Sequence, residues 1–170
     1  MAILASLGKL ATALSCTTGV TVDSTNVISM PAHDWAAYTD LWLWITTTVV
    51  ATGDASDTYK FALVMSEEST LDTNTEVCST VVTDFEERRL VTVGKTILAI
   101  NVGKQMSQMM ETAGDTTYFV GLQATLSDGA AITIAASLTP YEPRTSDHKL
   151  VTVSNVTVPD VASPGSGFVV

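Results

Sequence analysis

Over most of the chain, apolar side chains recur at every second position, and short turn-forming clusters interrupt the runs at fairly even spacing. A period of two is the signature of strands that bury one face. The clearest runs are Tyr118 to Leu126 and Ala130 to Thr139. In the first, Tyr118, Val120, Leu122, Ala124 and Leu126 share a face, opposite Phe119, Gly121, Gln123 and Thr125. In the second, Ile132, Ile134, Ala136 and Leu138 lie opposite Thr133, Ala135, Ser137 and Thr139. Asp128-Gly129 separates the runs, and because Asp-Gly tolerates the positive φ angles of a tight turn, the spacing predicts a β-hairpin. The same reading predicts strands at Leu14 to Val22, Asn26 to Met30, Leu41 to Val50, Thr58 to Ser66, Glu76 to Val82, Arg88 to Val93, Thr96 to Val102 and Leu150 to Val158. Turns fall at Thr52 to Asp57, Asp72 to Asn74 and Gly94-Lys95. Lys104 to Ala113, with Met106, Met109 and Met110 at helical spacing between Gly103 and Gly114, reads as a short helix or a Met-lined loop.

About ten strands with no strand-helix alternation predict an all-β fold, a jelly-roll-like antiparallel β-sandwich with N- and C-terminal arms. The sandwich with its short N-terminal lead is expected over residues 1–140, and residues 141–170 form a C-terminal extension. That extension holds a polar linker, Arg144 to His148, the late strand, and a Pro- and Gly-punctuated tail ending in Phe168-Val169-Val170. Composition agrees. Hydrophobic residues make up 46% of the 170, enough for a sizeable core, and charged residues only 15%, against roughly 25% in an average domain.

Charge removes one class of ligand. Eight basic residues against 18 acidic ones leave a net charge of -10, with no patch able to neutralise a run of phosphates, so no nucleic acid partner is expected. Cys16 and Cys78 are the only cysteines and lack metal-site spacing. They form either one bridge or two buried free thiols, and the second is the expected state. Met1 to Cys16 is apolar, but Lys9 interrupts it, which is the wrong order for a secretory signal. No run approaches about 18 apolar residues, so no membrane span is expected.

Little in the sequence points to catalysis. His33 and His148 stand in no metal-binding pattern, and no cofactor, metal site or enzyme activity is expected. His33-Asp34 beside Trp35 is the one local acid-base set, and on a strand those neighbours would point to opposite faces. Glu67-Glu68 and Glu86-Glu87 read as solvated turns, because sequence neighbours cannot face one another across a sugar. Asp54, Asp57, Asp72 and Asp128 fall in turns, where Asp is favoured for its own sake. The aromatic residues say more. In Leu41-Trp42-Leu43-Trp44-Ile45, the odd positions can enter the core, which sets Trp42 and Trp44 together on the outer face. There they are either covered by the C-terminal arm or the Met106 to Met110 segment, or serve as an interface anchor.

A short apolar lead, the Ser24 to Ile28 element Ser-Thr-Asn-Val-Ile, a long Thr-rich run, a polar excursion, and Tyr118-Phe119-Val120-Gly121-Leu122 leading to Asp128-Gly129 occur in this order. From Ala2 to Thr139 this order resembles the jelly-roll cement, or decoration, proteins of tailed-phage capsids. The extension after Pro140 departs from the family pattern. The resemblance implies a structural virion protein, assembled in the host cytoplasm and bound to the outer capsid surface. Its partner would be the phage major capsid protein, bridged near symmetry axes by a homo-oligomer, a dimer or trimer. Trp42, Trp44, Phe168, Val169 and Val170 are then the candidate partner or oligomer interface. The alternative is a carbohydrate-binding sandwich, a fibre tip or binding module, that uses Trp42 and Trp44 as a stacking platform.

Overall fold

The computed structural model describes residues 8–17, 19–83, 88–111, 113–114, 116–140 and 156–157. Where apolar residues alternate, the backbone is extended: β1 (Lys9–Cys16), β2 (Thr21–Asp23), β3 (Ile28–Pro31), β4 (Trp42–Thr52), β5 (Tyr59–Ser66), β6 (Asn74–Val82), β7 (Thr96–Asn101), β8 (Thr117–Leu126), β9 (Ala131–Thr139) and β10 (Val156–Thr157). A 3₁₀ helix (Ala32–Tyr38), α1 (Arg88–Val91) and α2 (Gly103–Glu111) interrupt them. The strands form two antiparallel sheets, one ordered β1-β9-β4-β7 and the other β10-β6-β5-β8-β2, with β3 also on β8. The pairing is nested. β5 pairs with β6, β4 with β7, β2 and β3 with β8, and β1 with β9, which is the winding of a jelly roll.

The inner faces meet in a single main core. Leu43 and Ile45 of β4, Tyr59, Phe61 and Leu63 of β5, Leu122 of β8 and Ile134 of β9 are completely buried in it. Met106 and Met110 of α2 and Leu90 of α1 join the same cluster. The Lys104 to Ala113 segment is therefore a helix whose Met side chains plug the core, and it packs on the 3₁₀ helix, where the Ser107 hydroxyl donates to the Trp35 carbonyl at 3.0 Å. Cys16 and Cys78 are buried free thiols.

Three expectations are corrected. Tyr118 to Leu126 and Ala131 to Thr139 do bury the faces that alternation assigns, and Gly129 does adopt a positive φ of 95°. The two strands nevertheless do not pair as a hairpin. β8 lies between β5 and β2 while β9 lies between β1 and β4, so the Asp128-Gly129 turn carries the chain from one sheet to the other. Alternation states which face is buried, and both arrangements bury it equally. Secondly, Leu14 to Val22 is not one strand: β1 starts earlier, at Lys9, and after Cys16 the chain changes sheets before β2. From Lys9 onward the apolar stretch is this strand, with Leu10, Ala11, Leu14 and Cys16 buried. Thirdly, Arg88 to Val93 begins as α1. The Thr47 hydroxyl donates to the Arg89 carbonyl, and Leu90 inserts into the core, so tertiary anchoring overrides a short alternating run.

One end of the sandwich is held by a buried acid. Asp57, 3% exposed, accepts hydrogen bonds from the Asp54 amide and the Ser127 hydroxyl, both at 2.8 Å. The Ser127 oxygen in turn accepts from the Thr58 amide at 2.8 Å. The β4–β5 loop is thereby tied to the β8–β9 turn. Removing the carboxylate strands two donors, each costing about 1 kcal/mol or more. Asp57→Ala is expected to destabilise the fold by about 2–3 kcal/mol, with Asp57→Asn losing less. Equilibrium denaturation with an unchanged m-value would show it.

Candidate functional site

The two outer faces of the sandwich differ, and the difference locates the site. On the second sheet, Leu71 folds over β5 and β8 from the β5–β6 loop and is 1% exposed, in a satellite cluster with Ala62 and Val64, flanked by Val27 and Phe119. Leu71 holds a φ of 60°, a left-handed conformation costing a non-glycine residue roughly 1–2 kcal/mol. Burying a leucine returns about 1.5–3 kcal/mol, so the strained turn is sustained. Gly121 beneath it has no side chain, and a Cβ there would collide with Leu71 Cδ1. Beside this lid, Lys60 Nζ lies 2.7 Å from Glu76 Oε2 and the Ser79 hydroxyl donates to Glu76 Oε1 at 2.6 Å. This face is closed by its own residues.

The outer face of the four-stranded sheet is built differently. On β4, Leu43 and Ile45 point inward, with Leu41 just before the strand also buried, and Trp42 and Trp44 are half-buried on the opposite side. Their cross-strand neighbours are short. Trp44 lies between Ser137 of β9 and Ala99 of β7, and Trp42 between Thr139 and Asn101. Trp44 Nε1 donates to Thr96 Oγ1 at 3.2 Å, which satisfies the indole and fixes the ring. Next to the ring is a depression of about 200 Å³ lined by Lys9, Ala11, Thr12, Trp44, Thr46, Ala135, Ala136 and Ser137. No residue of α2 lines it, so the Met106 to Met110 segment does not cover Trp44. Lys9 is the one ionisable side chain in this set, on a chain of net charge -10. A neutral surface loses little hydration when a partner covers it, as in the core of protein interfaces.

Apolar exposure continues along the same strand. Among the described residues, Val20, Val49, Val50, Val91 and Val93 are the exposed large apolar side chains. All but Val20 lie on β4 or on the α1 segment held against it through Thr47, which bonds Gly94 at 2.7 Å and Lys95 at 3.0 Å.

The remaining candidates do not converge. His33 and Asp34 share the 3₁₀ helix instead of a strand, with Nε2 and Oδ2 3.6 Å apart and both side chains more than half exposed. Burial pushes the Cys16 and Cys78 thiols up to about 12, so both stay protonated at neutral pH. Among the described residues no three His, Cys, Asp or Glu side chains could hold a metal ion. Asp54 and Asp57 spend their oxygens on loop donors, while Asp72 and Asp128 are exposed elsewhere. His148, Glu86, Glu87, Phe168, Val169 and Val170 lie outside the described residues. Sequence reasoning set Trp42 and Trp44 on the outer face, where the structure has them, but did not bring Lys9, Thr12 and Thr46 to Trp44. The alternation of β9 had set Ala135 and Ser137 on an outer face, without saying that this face adjoins the tryptophans.

Glu76 offers a check on the closed face. Burial works to raise its pKa, but the hydrogen bonds from Lys60 and Ser79 and the Lys60 charge together outweigh it and lower the value. A depressed folded-state pKa means that the stabilisation is complete above the unfolded value, near 4.3, and is lost as pH falls through the folded value. Glu76→Gln is expected to cost up to about 1 kcal/mol at pH 7, since the pair is partly exposed. That difference should shrink towards zero below about pH 4, read from paired thermal melts.

No protein-family model matches the chain, and no curated protein matches it in sequence.

Proposed function

We propose that the protein is a non-catalytic structural component that binds the outside of a tailed-phage capsid and cements neighbouring major capsid subunits, with the outer face of the four-stranded sheet as its contact surface. The observation that carries this reading is the outer face bearing the half-buried Trp42 and Trp44, with a depression beside Trp44 in which Lys9 is the one charged side chain. Tryptophan anchors of this kind supply most of the energy of protein interfaces, and a fold whose inner faces are fully packed can offer such a surface without rearranging. The jelly-roll winding and the ordered features from Ala2 to Thr139 support the capsid as the partner, and the acidic charge suits a protein that works beside packaged nucleic acid without binding it.

The test is sedimentation of the purified protein with capsid shells lacking it, bound copies being counted. Saturable, stoichiometric co-sedimentation is expected. Trp42→Ala and Trp44→Ala should each weaken it at least tenfold, since removing such an anchor costs about 2 kcal/mol or more, while cooperative thermal unfolding is retained. A protein left in the supernatant at every shell concentration would sink the capsid reading.

A sugar-binding module is the second reading, favoured by the hydroxyls of Thr12, Thr46 and Ser137 around the depression beside the fixed Trp44 ring. Aromatic stacking with hydroxyl partners is how such a site would hold a pyranose. Glycan-array binding that disappears in Trp42→Ala or Trp44→Ala would establish it, and a blank array removes it.

A further inference from the structure

We propose that Asp128-Gly129 is a self-modification site, at which the chain rearranges to an isoaspartyl linkage and so loosens the connection between the two sheets. It is the only Asp-Gly pair in the sequence, and it forms the centre of the turn between β8 and β9. The Ala130 amide donates to the Ser127 carbonyl at 3.3 Å, which closes the turn and leaves the central Gly129 amide outside that bond. Asp128 and Gly129 are both exposed. Among the described residues, neither the Asp128 carboxylate nor the Gly129 amide has a hydrogen-bond partner. The acids of the adjoining β4–β5 loop differ. Asp54 Oδ1 accepts from the Ser56 amide and hydroxyl. Asp57 accepts from Asp54 and Ser127, and the amide that follows it, Thr58, donates to Ser127. Of these three acids, Asp128 alone keeps both its carboxylate and the next amide free to react.

The rearrangement needs only water. The Gly129 nitrogen attacks Asp128 Cγ in its carboxylic acid form. A C–N bond forms, the Cγ–OH bond breaks, and the amide proton leaves with that hydroxyl as water, giving a five-membered succinimide ring. Glycine has no Cβ to obstruct the approach. Water then adds to the main-chain carbonyl carbon of Asp128 and breaks its bond to nitrogen. The chain now runs through Cβ and Cγ, and the former main-chain carbonyl is a free carboxylate. Composition and charge are back at their starting values, but the loop closed by Ser127 and Ala130 has gained one backbone atom. Its surroundings are already fixed. Ser127 Oγ is held between Asp57 and Thr58, Ala130 is completely buried, and a Cβ built on Gly129 would lie 3.5 Å from Asp57 Oδ2. The added atom displaces contacts that hold the β8–β9 turn to the β4–β5 loop. The proposal stands on this turn and does not depend on the capsid reading.

The test ages the folded, full-length protein at neutral pH in heavy-oxygen water and follows the digested peptides by chromatography and mass spectrometry. The peptide carrying Asp128 is expected to split into two peaks, each having gained one heavy oxygen, with isoaspartyl fragment ions at residue 128 in one of them. Incorporation should be on the order of tenfold greater there than at Asp54 or Asp57, a barrier difference of about 1.4 kcal/mol. Asp128→Glu keeps the charge but would have to close a six-membered ring, so its peptide should stay single and unlabelled. A wild-type peptide that stays single and unlabelled overturns the proposal, and so does equal labelling in Asp128→Glu. Aged wild type should also melt at a lower temperature than fresh protein, in proportion to its conversion, while aged Asp128→Glu does not change. Conversion with no change in melting overturns the loosening of the sheets.

Discussion

Leu43, Ile45, Phe61, Leu63, Leu122 and Ile134 come from four strands and both sheets, and all are completely buried in one cluster. Each contributes about 1.5–3 kcal/mol relative to exposure, and none can do so unless the opposite sheet is in place. This mutual burial is the constraint on which the molecule depends. It requires successive parts of the chain to supply both layers, and the nested pairing around the β5–β6 hairpin meets that requirement with every strand antiparallel to its neighbours. The helices serve the same end. α1 and α2 bring Leu90, Met106 and Met110 into a core that the strands leave unfilled.

Once the inner faces are committed, function is confined to what remains. The second sheet closes its outer side with Leu71, held in a strained turn above Gly121, and with the Lys60–Glu76–Ser79 network. The four-stranded sheet instead sets two half-buried tryptophans among alanine, serine, threonine and asparagine as their cross-strand neighbours. A tryptophan whose indole is already bonded to Thr96 loses little on contact with a partner. The sandwich thus has one face closed by its own residues and another that leaves two tryptophans beside a shallow depression, and the proposed contact role rests on this asymmetry.

Both edges of the design involve transfer of chain between layers. The Asp128-Gly129 turn moves the chain from β8 to β9 across the core, and the Asp57 carboxylate ties that crossing to the β4–β5 loop. At the far side, β10 extends the second sheet beyond β6.

Most strands, their buried faces and a helix or Met-lined loop around Met106 to Met110 were legible in the sequence, because a period of two or of 3.6 is imposed locally by backbone geometry. The outward placement of Trp42 and Trp44 was legible for the same reason. Partner choice was not. Tyr118 to Leu126 and Ala130 to Thr139 read as a hairpin, yet they lie in opposite sheets, since the same alternating face fits either the adjacent strand or the facing layer. Arg88 to Val91 became a helix because Leu90 found a place in the core and Thr47 held the backbone. The depression joins Lys9 to Trp44 and Ser137 across long sequence separations, a meeting that only sheet order creates. Local periodicity determined what each segment buries; long-range packing, which pairs faces through a shared core, decided which segments became neighbours and so what surrounds the outward tryptophans.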